Sequence, residues 1–304
     1  MSARAWSLLL FLSVLWGGSF LFNRIALVEI PTFTLVFARC AIAALLLAIV
    51  LGFTADRLPS DRSGWWDLTV MGILNNVIPF VLIVWGQHTI GAGLAAIMNA
   101  TTPIFSVIIA HIFTTDDKAT PLKVSGILLG IIGVAVLIGL DRLAGISDNL
   151  PAEIACLGAA LSYGLSSLWS RRFRGRPPTV TAAGQLTASS LILLPIALVV
   201  DTPWTLAMPS THVVLAMLGL AALSTALAYV VFFRIITIAG ATSATLVTLL
   251  VPPSAVVLGW LVLAEKLAVP HIAGMALIFV GLLAIDGRIP RAIMPLIGMR
   301  KRVP

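Results

Sequence analysis

The sequence predicts an all-α integral membrane protein, with ten transmembrane helices arranged as two inverted five-helix repeats. Three observations predict it. The 304 residues are 60% hydrophobic and 10% charged, with a mean hydropathy of +1.09, whereas a soluble domain carries about 25% charged residues. The chain divides into ten apolar runs, each close to the roughly 20 residues that cross a bilayer core as a helix. The second half also echoes the first, motif by motif and in the same order.

The runs are 5–27, 32–53, 66–86, 92–113, 122–140, 153–170, 180–200, 212–234, 240–263 and 269–286. Turn signals separate them: Glu29-Ile30-Pro31, Asp56 to Gly64, Asp116 to Pro121, Asp148 to Pro151, Arg171 to Pro178, Asp201 to Pro209 and Glu265 to Pro270. The first run follows Arg4 as a leader peptide would. It is too long for one, carries Trp16-Gly17-Gly18-Ser19 in its middle and has an echo in the second half, so it is read as a span.

The echo is densest in Gly91–Phe105, which returns at Gly240–Ser254. An offset of 149 maps Gly91 onto Gly240, Ala95 onto Ala244, Pro103 onto Pro252, Asp116 onto Glu265 and Pro121 onto Pro270. Gly126 and Gly133 map onto Gly274 and Gly281 at 148; Trp16-Gly17, Pro31 and Gly72 map onto Tyr163-Gly164, Pro178 and Gly219 at 147. Short loop insertions account for the drift. The expected domains are 1–148, 149–287 and a basic tail over 288–304.

Charge predicts the orientation. With the N-terminus cytoplasmic, fifteen Lys and Arg residues fall on the inside (Arg4, Arg57, Arg62, Lys118, Lys123, Arg171, Arg172, Arg174, Arg176, Arg234, Arg288, Arg291, Arg300, Lys301 and Arg302). Arg24, Arg142 and Lys266 fall outside. This positive-inside bias places both termini in the cytoplasm and the protein in the plasma (inner) membrane. Five spans per half, an odd number, turn the second half upside down relative to the first, as in many secondary transporters with a site near the midplane. The net charge of +7 therefore reads as topology and headgroup contact rather than nucleic-acid binding.

Leu15-Trp16-Gly17-Gly18-Ser19-Phe20 resembles the W-G-x-x-F signature of the drug/metabolite transporter superfamily, EamA type. Pro252, then Leu258-Gly259-Trp260 and Glu265-Lys266-Leu267, resembles that family's ninth-helix ending, and Gly274 with Gly281 its last helix. The similarity covers essentially the whole chain. It implies export of amino acids and other small metabolites, and aromatic and neutral amino-acid exporters of the YddG kind are the nearest comparison. One departure is Asp116-Asp117, where the second half has Glu265-Lys266.

Helical spacing groups the candidate substrate-binding residues. Trp16, Ser19, Phe20 and Asn23 share a face of the first helix, and Asn99, Thr102 and Ser106 a face of the fourth. Asn75 and Asn76 lie in the third helix, Tyr163 and Ser166 in the sixth, Gln185 in the seventh, Ser224, Thr225 and Tyr229 in the eighth, and Thr245 and Thr248 in the ninth. Buried amide and hydroxyl groups must be paired or line a wet cavity. Because they recur on matching helices of both halves, the cavity is preferred over helix–helix glue. Asn99 and Thr248, 149 apart, are expected to face each other across the pathway. Trp16 and Tyr163 are candidates for stacking on a flat substrate; Trp65, Trp66, Trp85 and Trp169 read as interfacial belt residues.

Arg39 lies seven or eight residues inside the second helix. An ionisable residue at that depth points to function, here the binding of a substrate carboxylate. Snorkelling to the surface or pairing with Glu29 is the alternative. Pro79, Pro103 and Pro252 are expected bending points, with the fourth and ninth helices each broken by a proline. The glycines of the fifth and tenth helices read as packing surfaces, within a monomer or in a homodimer.

All twelve acidic residues fall at helix ends or in loops, so no midplane carboxylate is available for proton coupling. The four histidines are scattered, and Cys40 and Cys156 sit in apolar runs as inert core residues. No metal, cofactor or nucleophile–base motif is present in the sequence. The expectation is a facilitative exporter of neutral or aromatic amino acids working by alternating access, rather than an enzyme. A proton-coupled exporter and a non-transport structural membrane protein are the alternatives.

Overall fold

In the computed structural model, residues 2–115, 119–138, 149–239 and 247–285 are described. Residues 240–246 of the echoed stretch, Thr245 among them, lie outside, as do Asp116, Lys118, Arg142 and the basic tail. Ten helical spans follow in order: α1 Ala3–Ala26, α2 Thr32–Gly52, α3 Arg62–Gly86, α4 Ala92–Phe113, α5 Pro121–Ile138, α6 Leu150–Trp169, α7 Pro178–Asp201, α8 Thr211–Ala239, α9 Val247–Leu263 and α10 Val269–Ile285. Six of them (α1, α2, α3, α4, α7 and α8) are long and apolar enough to cross a membrane, and α5, α9 and α10 contain shorter apolar helices. Where they fall on described residues, the expected starts and stops hold to within about five residues; the expected start at 240 and the ends at 140 and 286 lie outside them. The largest excess is at α8, which continues to Ala239 and so carries Arg234 on its last turns.

The helices are not uniform. α3 runs as Arg62–Gly72, a π-turn over Ile73–Val77, then Ile78–Gly86. α8 repeats the plan as Thr211–Ala221, a π-turn over Ala222–Leu227, then Ala228–Ala239. The starts of the helices and of the π-turns are both 149 residues apart, the offset that relates Gly91 to Gly240 and two more than that between Gly72 and Gly219. In α3 the π-turn has a chemical completion. Ile78 donates back five residues to the Ile73 carbonyl. The next carbonyl, Leu74, would then face Pro79, which has no N–H; the Ser162 hydroxyl of α6 donates to it instead at 2.7 Å.

The prolines behave differently from one another. α4 is interrupted as expected: Ala92–Asn99 ends, and Thr102–Phe113 restarts with Pro103 in its first turn. α9 is not broken. It runs unbroken over Val247–Leu263 with Pro252 and Pro253 inside it. This corrects the expectation that both copies break at the proline. In α4, Pro103 needs no N–H because it opens a new segment, whereas Pro252 lies beyond the first turn of a segment already under way.

Each half's first helix packs chiefly into the other half: α1 against α8 and α9, α6 against α3 and α4. α2 pairs with α7, and α5 with α10. Two glycines permit the crossed packing. A methyl group at Gly17 would meet Ser254 Cβ at 2.8 Å, and one at Gly164 would meet Ile109 at 2.9 Å and Phe105 at 3.1 Å. Gly164 and Phe105 are the repeat counterparts of Gly17 and Ser254, so the two contacts form a reciprocal pair about the pseudo-two-fold. Ser13 and Ser254 hydroxyls meet at 3.0 Å beside the first. The α5–α10 seam is tighter still: a methyl at Gly281 would stand 2.5 Å from the Gly126 carbonyl oxygen, and one at Gly133 2.9 Å from that of Gly274. These glycine faces are filled by each other within one chain.

Two apolar cores result. One gathers buried residues of α1, α4, α6, α9, α10 and the second part of α8, the other chiefly those of α2, α7 and the first part of α8. Tyr163 packs against both, which marks the seam between them as the place to look for polar chemistry.

Candidate functional site

The π-turns place polar residues at that seam. Asn75 donates from Nδ2 to Gln185 Oε1 at 3.2 Å and to the Tyr229 hydroxyl at 3.1 Å, and accepts at Oδ1 from Ser166 at 3.1 Å. Gln185 Nε2 reaches the same Tyr229 oxygen at 3.4 Å. Helices α3, α6, α7 and α8 thus converge on one amide–hydroxyl cluster. The adjacent residue, Asn76, is buried and donates to Ser189 of α7 at 3.1 Å, while its Oδ1 has no hydrogen-bond partner among the described residues.

Arg39 stands beside this cluster. It is 6% exposed. Its Nε donates to Thr225 Oγ1 at 2.9 Å, and its guanidinium carbon sits 3.6 Å from the centre of the Phe80 ring. The charge lies close enough to interact electrostatically with Tyr163 and Tyr229. Among the described residues it has no carboxylate partner. Both alternatives for this residue are therefore set aside: it does not reach the surface, and Glu29 is engaged elsewhere. A buried cation held by one neutral hydroxyl and an aromatic face retains unfilled capacity for an anion, because guanidinium carries five donors in a fork that matches a carboxylate.

An aromatic row leads away from the cluster. Tyr229 stacks on Phe233 with centroids 5.9 Å apart, Phe233 adjoins Phe232 at 5.8 Å, and Phe232 meets Trp16 at 5.3 Å. Trp16, Tyr163, Gln185, Tyr229, Asn76 and Arg39 therefore belong to one connected region. Ser19, three residues after Trp16 in α1, is buried and makes no side-chain hydrogen bond among the described residues. Pro79 is buried directly after the α3 π-turn.

Other predicted residues lie apart. Asn23 donates to Gln87 Oε1 at 3.0 Å, and Gln87 Nε2 donates to the Phe20 carbonyl at 2.8 Å, a structural knot near the α3–α4 turn. Asn99, at the α4 break, has a buried Oδ1 with no partner among the described residues, and so accepts no hydrogen bond from Thr248. The expected Asn99–Thr248 pair is thus not a bonded one: the break after Asn99 ends the regular helix on which the facing relation was based. Trp169 donates to the Asp67 carbonyl and lies under Arg172, while Trp66 and Trp85 are exposed as belt residues would be.

The predicted external end carries a separate set of contacts. The Glu265 carboxylate accepts from the Ala92 and Gly93 N–H groups at 2.8 and 3.1 Å, at the start of α4; Gly91 and Gly259 leave the space for it. Glu29 accepts from the Ser210 N–H and hydroxyl, each at 2.6 Å, and Asp201 accepts from the Thr34 N–H and hydroxyl at 2.6 and 2.9 Å. Each of these joins one half to the other. Arg24 donates to the carbonyls of Gln87 and His88. The His88 ring meets Thr32 at 3.0 Å, and its imidazole is held below the usual range by burial and then by Arg24. A cleft of about 810 Å³ opens here between Arg24, His88, His212 and Glu265. It contains none of the predicted binding residues. At the opposite end Arg172 pairs with Asp67 at 3.2 Å.

The family model for EamA-like transporters matches the chain twice, over residues 4–139 and 150–285. The chain belongs to the EamA-like transporter family.

This EamA-like membrane transporter is 25% identical over 275 residues to the uncharacterized transporter YoaV of Bacillus subtilis, covering 89% of this chain and 92% of that one. It is 26% identical over 255 residues to the protein PagO of Salmonella typhimurium, 82% of each chain. It is also 25% identical over 252 residues to the uncharacterized inner membrane transporter YedA of Escherichia coli, 82% of this chain and 79% of that one. A solved crystal structure shares the fold with a TM-score of 0.66 at 19% identity, covering 93% of this chain and 98% of its own.

Several residues of the EamA-type core escaped the sequence reading. Phe80, Phe232 and Phe233 are ordinary apolar residues in apolar runs, with nothing to single them out. Ser189 is a small hydroxyl residue in an apolar run, and the repeat register does not pair it with any predicted residue.

Proposed function

We propose that this EamA-type transporter exports neutral or aromatic amino acids across the inner membrane by alternating access, with both termini cytoplasmic and no ion coupling. The observation that carries the reading is Arg39: a buried cation with no carboxylate partner among the described residues, next to an amide–hydroxyl cluster and an aromatic row. In this reading the substrate carboxylate takes the guanidinium fork. The Asn75–Gln185–Tyr229 cluster, neighboured by Asn76 and Ser19, accepts the ammonium. Trp16, Phe232 and Tyr163 flank the side chain. Asn23 and Asn99 with Thr248 lie further along the pathway, and Pro79, Pro103 and Pro252 are bending points. Among the described residues a single cation stands in the core, which favours one carboxylate over a phosphate ester that would call for several.

The test uses pure protein in liposomes with L-phenylalanine and L-phenylalaninol, which lacks the carboxylate. Wild type is expected to transport phenylalanine in preference. Arg39→Gln should lose about 10- to 100-fold of the phenylalanine affinity, the worth of a charged hydrogen-bonded contact, and lose the preference. Equal handling of the two compounds by wild type, or unchanged phenylalanine transport by Arg39→Gln, would sink the reading.

A second reading, proton coupling, has one observation in its favour. Glu153 lies in the first turn of α6 and is fully buried, so one carboxylate is withdrawn from water even though none stands at the midplane.

A further inference from the structure

The bond that Arg39 makes has a counterpart between the two halves. Thr225 and Asn76 each stand fourth in their π-turn, in α8 and α3. The bond from α2 to the α8 π-turn (Arg39 to Thr225, 2.9 Å) is therefore matched by a bond from α7 to the α3 π-turn (Asn76 to Ser189, 3.1 Å), although Arg39 and Ser189 are not at equivalent positions of the repeat. Each ties the second helix of one half to the π-turn of the other. One link holds a cation and the other is neutral on both sides.

We propose that this asymmetry couples cargo to conformation: a cargo carboxylate displaces Thr225 from Arg39 and releases α2 from the α8 π-turn, while the Asn76–Ser189 link stays closed. This rests on the carboxylate reading of Arg39 given above.

The chemistry favours the exchange. A neutral hydroxyl offers Nε a single acceptor, and a carboxylate offers two charged oxygens, one to Nε and one to the terminal nitrogen beside it. Thr225 is not stranded by the exchange, because its own hydroxyl already donates to the Leu220 carbonyl at 2.8 Å, just before the π-turn. A ligand shifts a conformational equilibrium only through different affinity for the two states. Here the difference is built in: Thr225 holds Nε, so cargo and Thr225 compete for the edge formed by Nε and its neighbouring terminal nitrogen, and only the state with the link open offers that edge whole. π-turns are sites where a helix changes hydrogen-bond register at low cost, and they recur at functional positions.

The experiment is hydrogen–deuterium exchange of the full-length transporter in lipid, with and without L-phenylalanine, alongside phenylalanine binding. In wild type, phenylalanine should raise exchange over Ala222–Leu227 and leave Ile73–Val77 unchanged. Thr225→Val, which removes the acceptor, should show the raised exchange without cargo and bind phenylalanine about three- to tenfold more tightly, the worth of one competing hydrogen bond. Thr225→Ser should restore wild-type behaviour, and Ser189→Ala should keep the phenylalanine response at Ala222–Leu227. Thr225→Val matching wild type in affinity and response overturns the coupling. If Arg39→Gln loses phenylalanine binding in the same series, the carboxylate reading survives that result; if Arg39→Gln binds as wild type, both fall.

Discussion

Arg39 and Glu29 were possible partners on sequence alone, ten residues apart at the start of one helix. The structure gives each a different fate for a physical reason. Glu29 lies in the turn after α1, where Ser210 offers it an N–H and a hydroxyl. Arg39 is carried inward by almost two turns of α2, beyond reach of the turn. The Ser210 side-chain and backbone bonds hold the Glu29 carboxyl below its ordinary value of 4.5. A lowered carboxylate pKa means that the tie is complete above the free carboxylate range and is lost as pH falls through the lowered value. Ser210→Ala is expected to move the Glu29 titration back up, read by carboxyl-carbon NMR; an unmoved titration refutes the assignment. Depth was legible for Arg39, and so were Trp16, Tyr163, Gln185 and Tyr229, because polar and aromatic groups in apolar runs are conspicuous. Partners were not, since Phe80 and Thr225 meet Arg39 only through tertiary packing.

At the level of the helix, the spans and the repeat register could be read because lipid forces long apolar runs and the echo is ordered. The π-turns could not. A π-turn inserts one extra residue per turn without changing the apolar character of a run that is hydrophobic on nearly all sides. The break in α4 and its absence in α9 were likewise hidden, since Pro103 and Pro252 look alike in sequence. The glycines were legible as packing surfaces, but their partner helices were not. The α5–α10 seam makes a firm prediction. Gly281→Ala would press a methyl group against the Gly126 carbonyl, and overpacking of this kind costs about 1–3 kcal/mol. Gly52→Ala, which meets nothing within 4 Å, should be neutral. Thermal unfolding in detergent should separate the two variants, and equal melting would contradict the seam.

For the molecule as a whole, the two halves are joined at the predicted external end by Glu265, Glu29 and Asp201, each reaching from one half to the other. Facilitative transport predicts that phenylalanine counterflow in proteoliposomes proceeds at the same rate with and without an imposed pH gradient, and that Glu153→Gln leaves it unchanged. Counterflow that appears only with the gradient, and is lost in Glu153→Gln, would establish proton coupling instead.

The crossed packing of α1 also has a bearing on how the chain is made. Its main partners, α8 and α9, begin at Thr211 and Val247, so α1 leaves the ribosome about two hundred residues before its binding surface exists, which at roughly 5–20 residues per second is a wait of tens of seconds. Through that interval the residues that its glycine face meets at Gly17, Ser254 and Ala255, do not yet exist. Ser13 already bonds to the Leu10 carbonyl of its own helix, which leaves the hydroxyl tolerable to hydrocarbon until Ser254 arrives. A ribosome stalled after the first five helices would release a fragment whose opening helix has lost its principal berth. The halves echo each other in sequence, yet each lends its first helix chiefly to the other.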